Sequence, residues 1–143
     1  MALADTLNKT LADSYLLYFK AHSFHWNVEG SDFAQYHDFI GNFYTEVYSS
    51  IDFIAELLRT LDVFAPTSLS KLISLSSLKE TENIPQAKEM LAQLRSDNDL
   101  YLAQLVTAYN EAEQVSEFGI SNYLQDRIQA HEKQAWMLRA ITK

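Results

Sequence analysis

The sequence predicts an all-α fold: a bundle of four long helices, with one short helix in the crossover between the second and third. Apolar side chains recur every three or four residues over four long stretches. Only 3 Gly and 2 Pro are present, too little turn chemistry for a sandwich or barrel of many short strands. With 143 residues the chain fits one domain, residues 1–143. A chain of this size buries roughly two-thirds of its unfolded surface, so its core needs no staples. It has none to use: without cysteine there is no disulfide, thiolate metal site or cysteine nucleophile. Hydrophobic residues at 48% against 21% charged mark a globular chain rather than a disordered one.

The first helix is expected over residues 5–27. Its stripe is Leu3, Leu7, Leu11, Tyr15, Phe19 and His22, widened by Leu16 and Trp26. Gly30 can then supply a left-handed backbone, and Ser31 or Asp32 can cap the next helix. The second, residues 32–61, carries Phe33, Tyr36, Ile40, Phe43, Val47, Ile51, Ile54, Leu58 and Leu61. Gly41 lies inside it and weakens a helix by about 1 kcal/mol relative to Ala, so it reads as a close-packing position. Leu69, Leu72, Ile73 and Leu75 make one short amphipathic helix, kept short by the surrounding serines. A third long helix starts near Pro85, with proline in its first turn, and runs to about residue 115. The fourth covers residues 118–141 through Leu124, Ile128, His131, Ala135 and Leu138. A connection of about 22 residues before the third long helix is long enough to travel along the bundle, which sets the second and third parallel. The other reading lays the short helix across one end.

Net charge is −8, from 11 Lys and Arg against 19 Asp and Glu. That disfavours general attraction to nucleic acid. No stretch is apolar enough to span a membrane. Met1-Ala2-Leu3-Ala4-Asp5 has no secretory pattern, so a cytoplasmic location is expected.

Bundles that hold two irons inside one chain use Glu-x-x-His pairs. Phe19, His22, Ala34 and Ile128 stand three residues before the four histidines, so no such pair exists. Two other pairs draw notice. His25 and His37 lie six residues either side of Ser31, so a turn there sets the imidazoles side by side. They are metal ligands, or one frays at a helix end and the other is a satisfied, partly buried residue. Asp52 and Glu56 project from one helix face. They bind a cation there, or both face water. His37 and Asp52 are 15 residues apart, about 22 Å along a helix, so one continuous helix cannot bring both to one metal. Two copies packed antiparallel about a two-fold axis near residues 45–47 can. Each site then takes His25 and His37 from one chain and Asp52 and Glu56 from the other. Imidazoles plus carboxylates suit non-haem Fe(II), and Zn also fits.

His25-Trp26-Asn27-Val28-Glu29-Gly30, with Phe33, His37 and Asp52-Phe53-Ile54-Ala55-Glu56, resembles the signature of the Dps proteins, the ferritin-like proteins for DNA protection during starvation. His131-Glu132-Lys133-Gln134-Ala135-Trp136-Met137-Leu138 is similar to that family's last helix. The resemblance implies a ferritin-like four-helix bundle assembled into a dodecamer from two-fold dimers. It implies Fe(II) oxidation, generally with hydrogen peroxide, and storage of Fe(III), which limits oxidative damage. His25, His37, Asp52 and Glu56 become the iron ligands, with Glu56 the main carboxylate. Trp26 becomes an electron donor or radical trap, unless it is only an indole packed at a helix end. Glu113, Glu117 and Asp126 are candidates to line an entry pore; a solvated acidic face is the other reading.

Two departures stand out. Gly41 takes the place of an Asp that many members carry near a second iron, and Asp38 lies at the wrong angle to replace it simply. A basic DNA-binding tail is missing: Lys9 is the only early lysine, and the sequence ends Ile141-Thr142-Lys143. Two alternatives remain, a metal-sequestering shell with weak ferroxidase activity and a non-catalytic helical oligomer.

Overall fold

The computed structural model describes residues 1–143. Five helices follow one another: α1 (Ala2–Asn27), α2 (Phe33–Thr60), α3 (Leu69–Leu75), α4 (Ala87–Gln114) and α5 (Phe118–Ile141). The four long helices bury most of the stripes that define them, meeting around Leu17, Phe43, Ile54, Leu94, Tyr101 and Leu124, whereas Phe19, Trp26 and Phe33, placed on those stripes by their spacing, are exposed. Helix directions follow from the bonds between them. Thr6 donates to Glu111, Ser14 meets Tyr101 and Lys20 pairs with Asp97, so α1 and α4 run antiparallel. His25 lies against His37 and Tyr18 against Tyr48, so α1 and α2 are antiparallel too. Asn98 bonds His131 and Arg95 bonds Thr142, which sets α5 against α4 in the same sense. Helices α2 and α4 are therefore parallel, as the long connection requires.

That connection runs along α1 rather than across an end. The Asp13 carboxylate is fully buried on α1 and accepts from Ser76 Oγ, Ser77 N and Ser77 Oγ at 2.6 to 2.8 Å. Three donors offset most of the cost of burying the charge, and they pin the end of α3 to the middle of α1.

The helix ends correct several sequence expectations. Helix α1 begins three residues earlier than expected, at Ala2. Pro85 lies outside α4, before its N-cap Gln86. Asp32 is the N-cap of α2 but makes no side-chain cap bond. Gly30 adopts φ 119°, in the turn beyond the extended cap Val28 rather than at the helix end itself. Helices α2 and α4 end in Schellman motifs. Asp62 and Ser116 take left-handed φ of 60° and 59°. The next N–H bonds back five residues, Val63 to Leu58 and Glu117 to Ala112. Neither left-handed residue is glycine, so the sequence carried no flag for them.

A second polar cluster sits inside the bundle. Arg127 Nη2 donates to His131 Nε2 at 2.9 Å. His131 Nδ1 therefore carries the ring proton and donates to Asn98 Oδ1 at 2.7 Å. Glu46 lies 4.0 Å from Arg127 and accepts from Gln134 at 3.2 Å. Burial, and then the adjacent guanidinium, push the His131 imidazole down to about 3. The cation among these side chains is Arg127.

Candidate metal centre

The α1–α2 hairpin brings His25 and His37 together. Their rings stack with centroids 3.7 Å apart and planes 16° from parallel. His25 Nδ1 donates to the His37 carbonyl at 2.7 Å, and His37 Nδ1 donates to the His25 carbonyl at 2.8 Å. A carbonyl only accepts, so each Nδ1 bears the proton. Nε2 is the ring nitrogen left to face a metal, with its orientation fixed from behind. That is how ligating histidines are usually held.

Gly41 is part of this arrangement. A Cβ there would stand 2.9 Å from His25 Cε1 and 3.1 Å from its Nδ1. The close-packing reading of Gly41 holds, and the neighbour is the His25 ring. Asp38 is exposed.

Asp52 and Glu56 lie further along α2, both exposed. Hydrogen bonding to Asp52 and its like charge raise the Glu56 carboxyl above its ordinary value. A bound cation would relieve that repulsion. No three His, Asp or Glu side chains of the chain converge on one point. The fold thus brings together His25 with His37, and Asp52 with Glu56, and keeps the two pairs apart on one continuous helix. The donor set, two imidazoles and two carboxylates, suits iron or zinc only if two chains contribute.

Trp26 is 58% exposed, with its ring 4.3 Å from His22 and edge-on to Phe19 at 6.2 Å. His22 was on the expected apolar stripe without an assigned role. Its Nδ1 lies 2.9 Å from the Tyr18 hydroxyl, and its ring stacks on Tyr44 at 4.0 Å with a 10° tilt. Burial, then the nearby His25, lower the His22 imidazole. Burial, then Tyr15, Tyr48 and Tyr44, raise the Tyr18 phenol. The Tyr18–His22 spacing of four was the available sequence signal. Of the acidic candidates, Glu113 is exposed and accepts from Tyr109, while Glu117 stands at the N-cap position of α5 without a side-chain cap bond. Asp126 is exposed about 13 Å further along α5.

A bundle with parallel middle helices and a long crossover defines the ferritin-like class, and the ferritin-like domain model matches residues 4–143. An uncharacterized low temperature-induced protein of Nostoc sp. PCC 7120 is 34% identical over 94% of this chain and 76% of its own length. The DNA protection during starvation protein 2 of Bacillus anthracis is 31% identical over 96% of this chain and 94% of its own. The crystal structure of the Dps protein from Vibrio cholerae O1, described as a member of a superfamily of ferritin-like diiron-carboxylate proteins, superposes with a TM-score of 0.95. It is 28% identical, covering 99% of this chain and 89% of that one. This chain belongs to the Dps family of ferritin-like proteins, a family generally concerned with iron binding and storage.

Proposed function

We propose that twelve copies, built from two-fold dimers, form a shell that oxidises Fe(II) and keeps the Fe(III) inside. Hydrogen peroxide is the preferred oxidant and dioxygen the other. The observation that carries this reading is the split ligand set. His25 and His37 present two anchored imidazoles at one end of α2. Asp52 and Glu56 wait about 22 Å further along the same helix. Antiparallel α2 helices of two copies complete two equivalent sites. Exposed Phe19, Trp26 and Tyr48 on α1 and α2, with Leu69 and Ile73 on α3, supply apolar surface for such a contact.

The substrate is Fe(II). His25 and His37 hold and orient it, while Asp52 and Glu56 supply hard oxygen ligands that favour Fe(III). Two Fe(II) give one electron each to one peroxide, its O–O bond breaks, and two protons complete two waters. Trp26 is a one-electron donor near the site. Zn(II) would occupy the same ligands without redox chemistry. Glu113, Glu117 and Asp126 would line the entry path, and the location is cytoplasmic. Gly41 in place of a carboxylate favours a variant of this reading with one tightly held iron per site and slower turnover.

The test is the double variant His37→Ala with Asp52→Ala. Fe(II) oxidation should slow at least tenfold, the loss expected when about 1.4 kcal/mol or more of stabilisation is removed. The particle mass should stay unchanged. Parent-like oxidation would refute the assignment.

A further inference from the structure

Gly41 raises a problem of electron balance. Peroxide takes two electrons, and one Fe(II) supplies one. Unless a second donor supplies the other electron, the O–O bond breaks to hydroxide and a hydroxyl radical. Beside the candidate site stands a tyrosine whose oxidation is prepared in its proton as well as its electron. The Tyr18 hydroxyl lies 2.9 Å from His22 Nδ1. His22 in turn touches the exposed indole of Trp26, with centroids 4.3 Å apart. His25, a candidate ligand, is 6.4 Å from His22 between ring centroids.

We propose that Tyr18 and His22 form a proton-coupled electron donor that supplies the second electron when peroxide meets a single bound Fe(II). This rests on the ferroxidase reading above. The balance is complete. Fe(II) gives one electron and becomes Fe(III). Tyr18 gives the other, by way of Trp26, and becomes a neutral phenoxyl radical. Its O–H bond breaks, and the proton passes to His22 Nδ1. The O–O bond of peroxide breaks, and two solvent protons complete two waters.

Geometry selects Tyr18 over its neighbours. Tyr15, Tyr44 and Tyr48 crowd its ring at 4.8 to 6.1 Å, yet only Tyr18 hydrogen-bonds an imidazole. Oxidising a phenol with nowhere to send its proton leaves a strongly acidic radical cation. The hydrogen bond to His22 removes that obstacle. The imidazolium so formed lies against the face of Tyr44, 4.0 Å away and nearly parallel, where the ring quadrupole offsets part of the cost that burial and His25 place on the charge. His22 thus serves both transfers: its Nδ1 takes the proton, and its ring lies between Tyr18 and Trp26 on the path of the electron.

The pair can be tested without iron. In a Trp136→Phe background Trp26 is the only indole. Azide radicals from pulse radiolysis of the assembled protein oxidise it, and the indolyl absorption should convert into phenoxyl absorption. Tyr18→Phe should abolish most of that conversion. His22→Gln should slow it by about tenfold, the effect of losing one hydrogen bond in the transition state. Tyr109→Phe, remote and bonded to Glu113, should leave it unchanged. Conversion that survives Tyr18→Phe at the parent rate overturns the proposal.

A second arm mixes anaerobically Fe(II)-loaded protein with equimolar peroxide, read by freeze-quench electron paramagnetic resonance. A tyrosyl signal in the parent that is absent in Tyr18→Phe supports the proposal. Spin-trapped hydroxyl radical should rise in the variant. Rapid Fe(II) oxidation with no tyrosyl signal overturns the proposal while leaving the ferroxidase reading intact. No Fe(II) oxidation at all overturns the ferroxidase reading, and the role of the pair in supplying the second electron falls with it.

Discussion

Gly41 shows how one missing side chain can be worth more than its helix propensity. On an exposed helix, replacing Gly by Ala gains about 1 kcal/mol. Here the new methyl would meet His25 Cε1 at 2.9 Å. That ring cannot easily retreat, because its Nδ1 is bonded to the His37 carbonyl and its face is stacked on His37. Overpacking a held side chain costs roughly 1–3 kcal/mol, so the clash at least cancels the propensity gain. Gly41→Ala should leave the melting temperature unchanged or lowered, and should weaken Zn(II) binding severalfold by turning one Nε2 off its axis. Calorimetry of the variant with Zn(II) checks both. A stabilised protein with parent affinity would show that the ring yields freely. The same crowding explains why an Asp at this position is not a simple restoration of a fifth ligand. Its Cβ would meet the imidazole before its carboxylate reached any metal.

The helices were legible because each carries an amphipathic stripe, and period alone reports that. Their ends were less legible. Asp62 and Ser116 hold left-handed backbone without being glycine, while Pro85 punctuates the chain from outside the helix. Part of the site could be read as well, since the even spacing of His25 and His37 about Ser31 signals a hairpin pair. His22 and His131 sit on stripes that look like ordinary core, and their partners Tyr18 and Arg127, four residues earlier, lie off those stripes. Only the neighbouring helix shows what each touches. Asp13 is further from sequence reach, because its partners stand 63 and 64 residues away. The His131 cluster ties α4 to α5 and carries a pH signature. Folded His131 titrates near 3, against an ordinary value of 6.5. Below pH 6.5 the unfolded chain takes up a proton that the folded chain refuses. The contribution is whole above that pH and is lost as pH falls toward 3, at up to about 1.4 kcal/mol per unit. His131→Gln should start less stable at pH 7 but lose stability less steeply between pH 6 and pH 4. Urea unfolding followed by circular dichroism at each pH decides. Parallel slopes would mean that the imidazole is not what acid attacks.

At the scale of the molecule, charge and assembly bear on each other. A single chain exposes Phe19, Trp26, Phe53, Phe64, Phe118 and Trp136, apolar surface that contacts between copies would cover on the shell reading. On the shell reading, light scattering should give about 197 kDa, twelve times 16.4 kDa, and a clean monomer would remove the shared site. Twelve copies of −8 sum to about −96. Affinity for duplex DNA comes largely from counterions released as Lys and Arg neutralise phosphates, with a log–log salt slope near −0.9 for each phosphate engaged. Such a shell has few cations to spend and a long-range field that repels the duplex. Salt screens that field within about 10 Å at 0.1 M, so screening alone can weaken the repulsion but cannot create attraction. A gel-shift titration should therefore show no retarded band at low or moderate salt. A band strongest at low salt and lost as salt rises would reveal a local basic face that overrides the net charge. Its absence at both would mean that any protection of DNA acts by removing Fe(II) and peroxide from solution and not by coating the duplex.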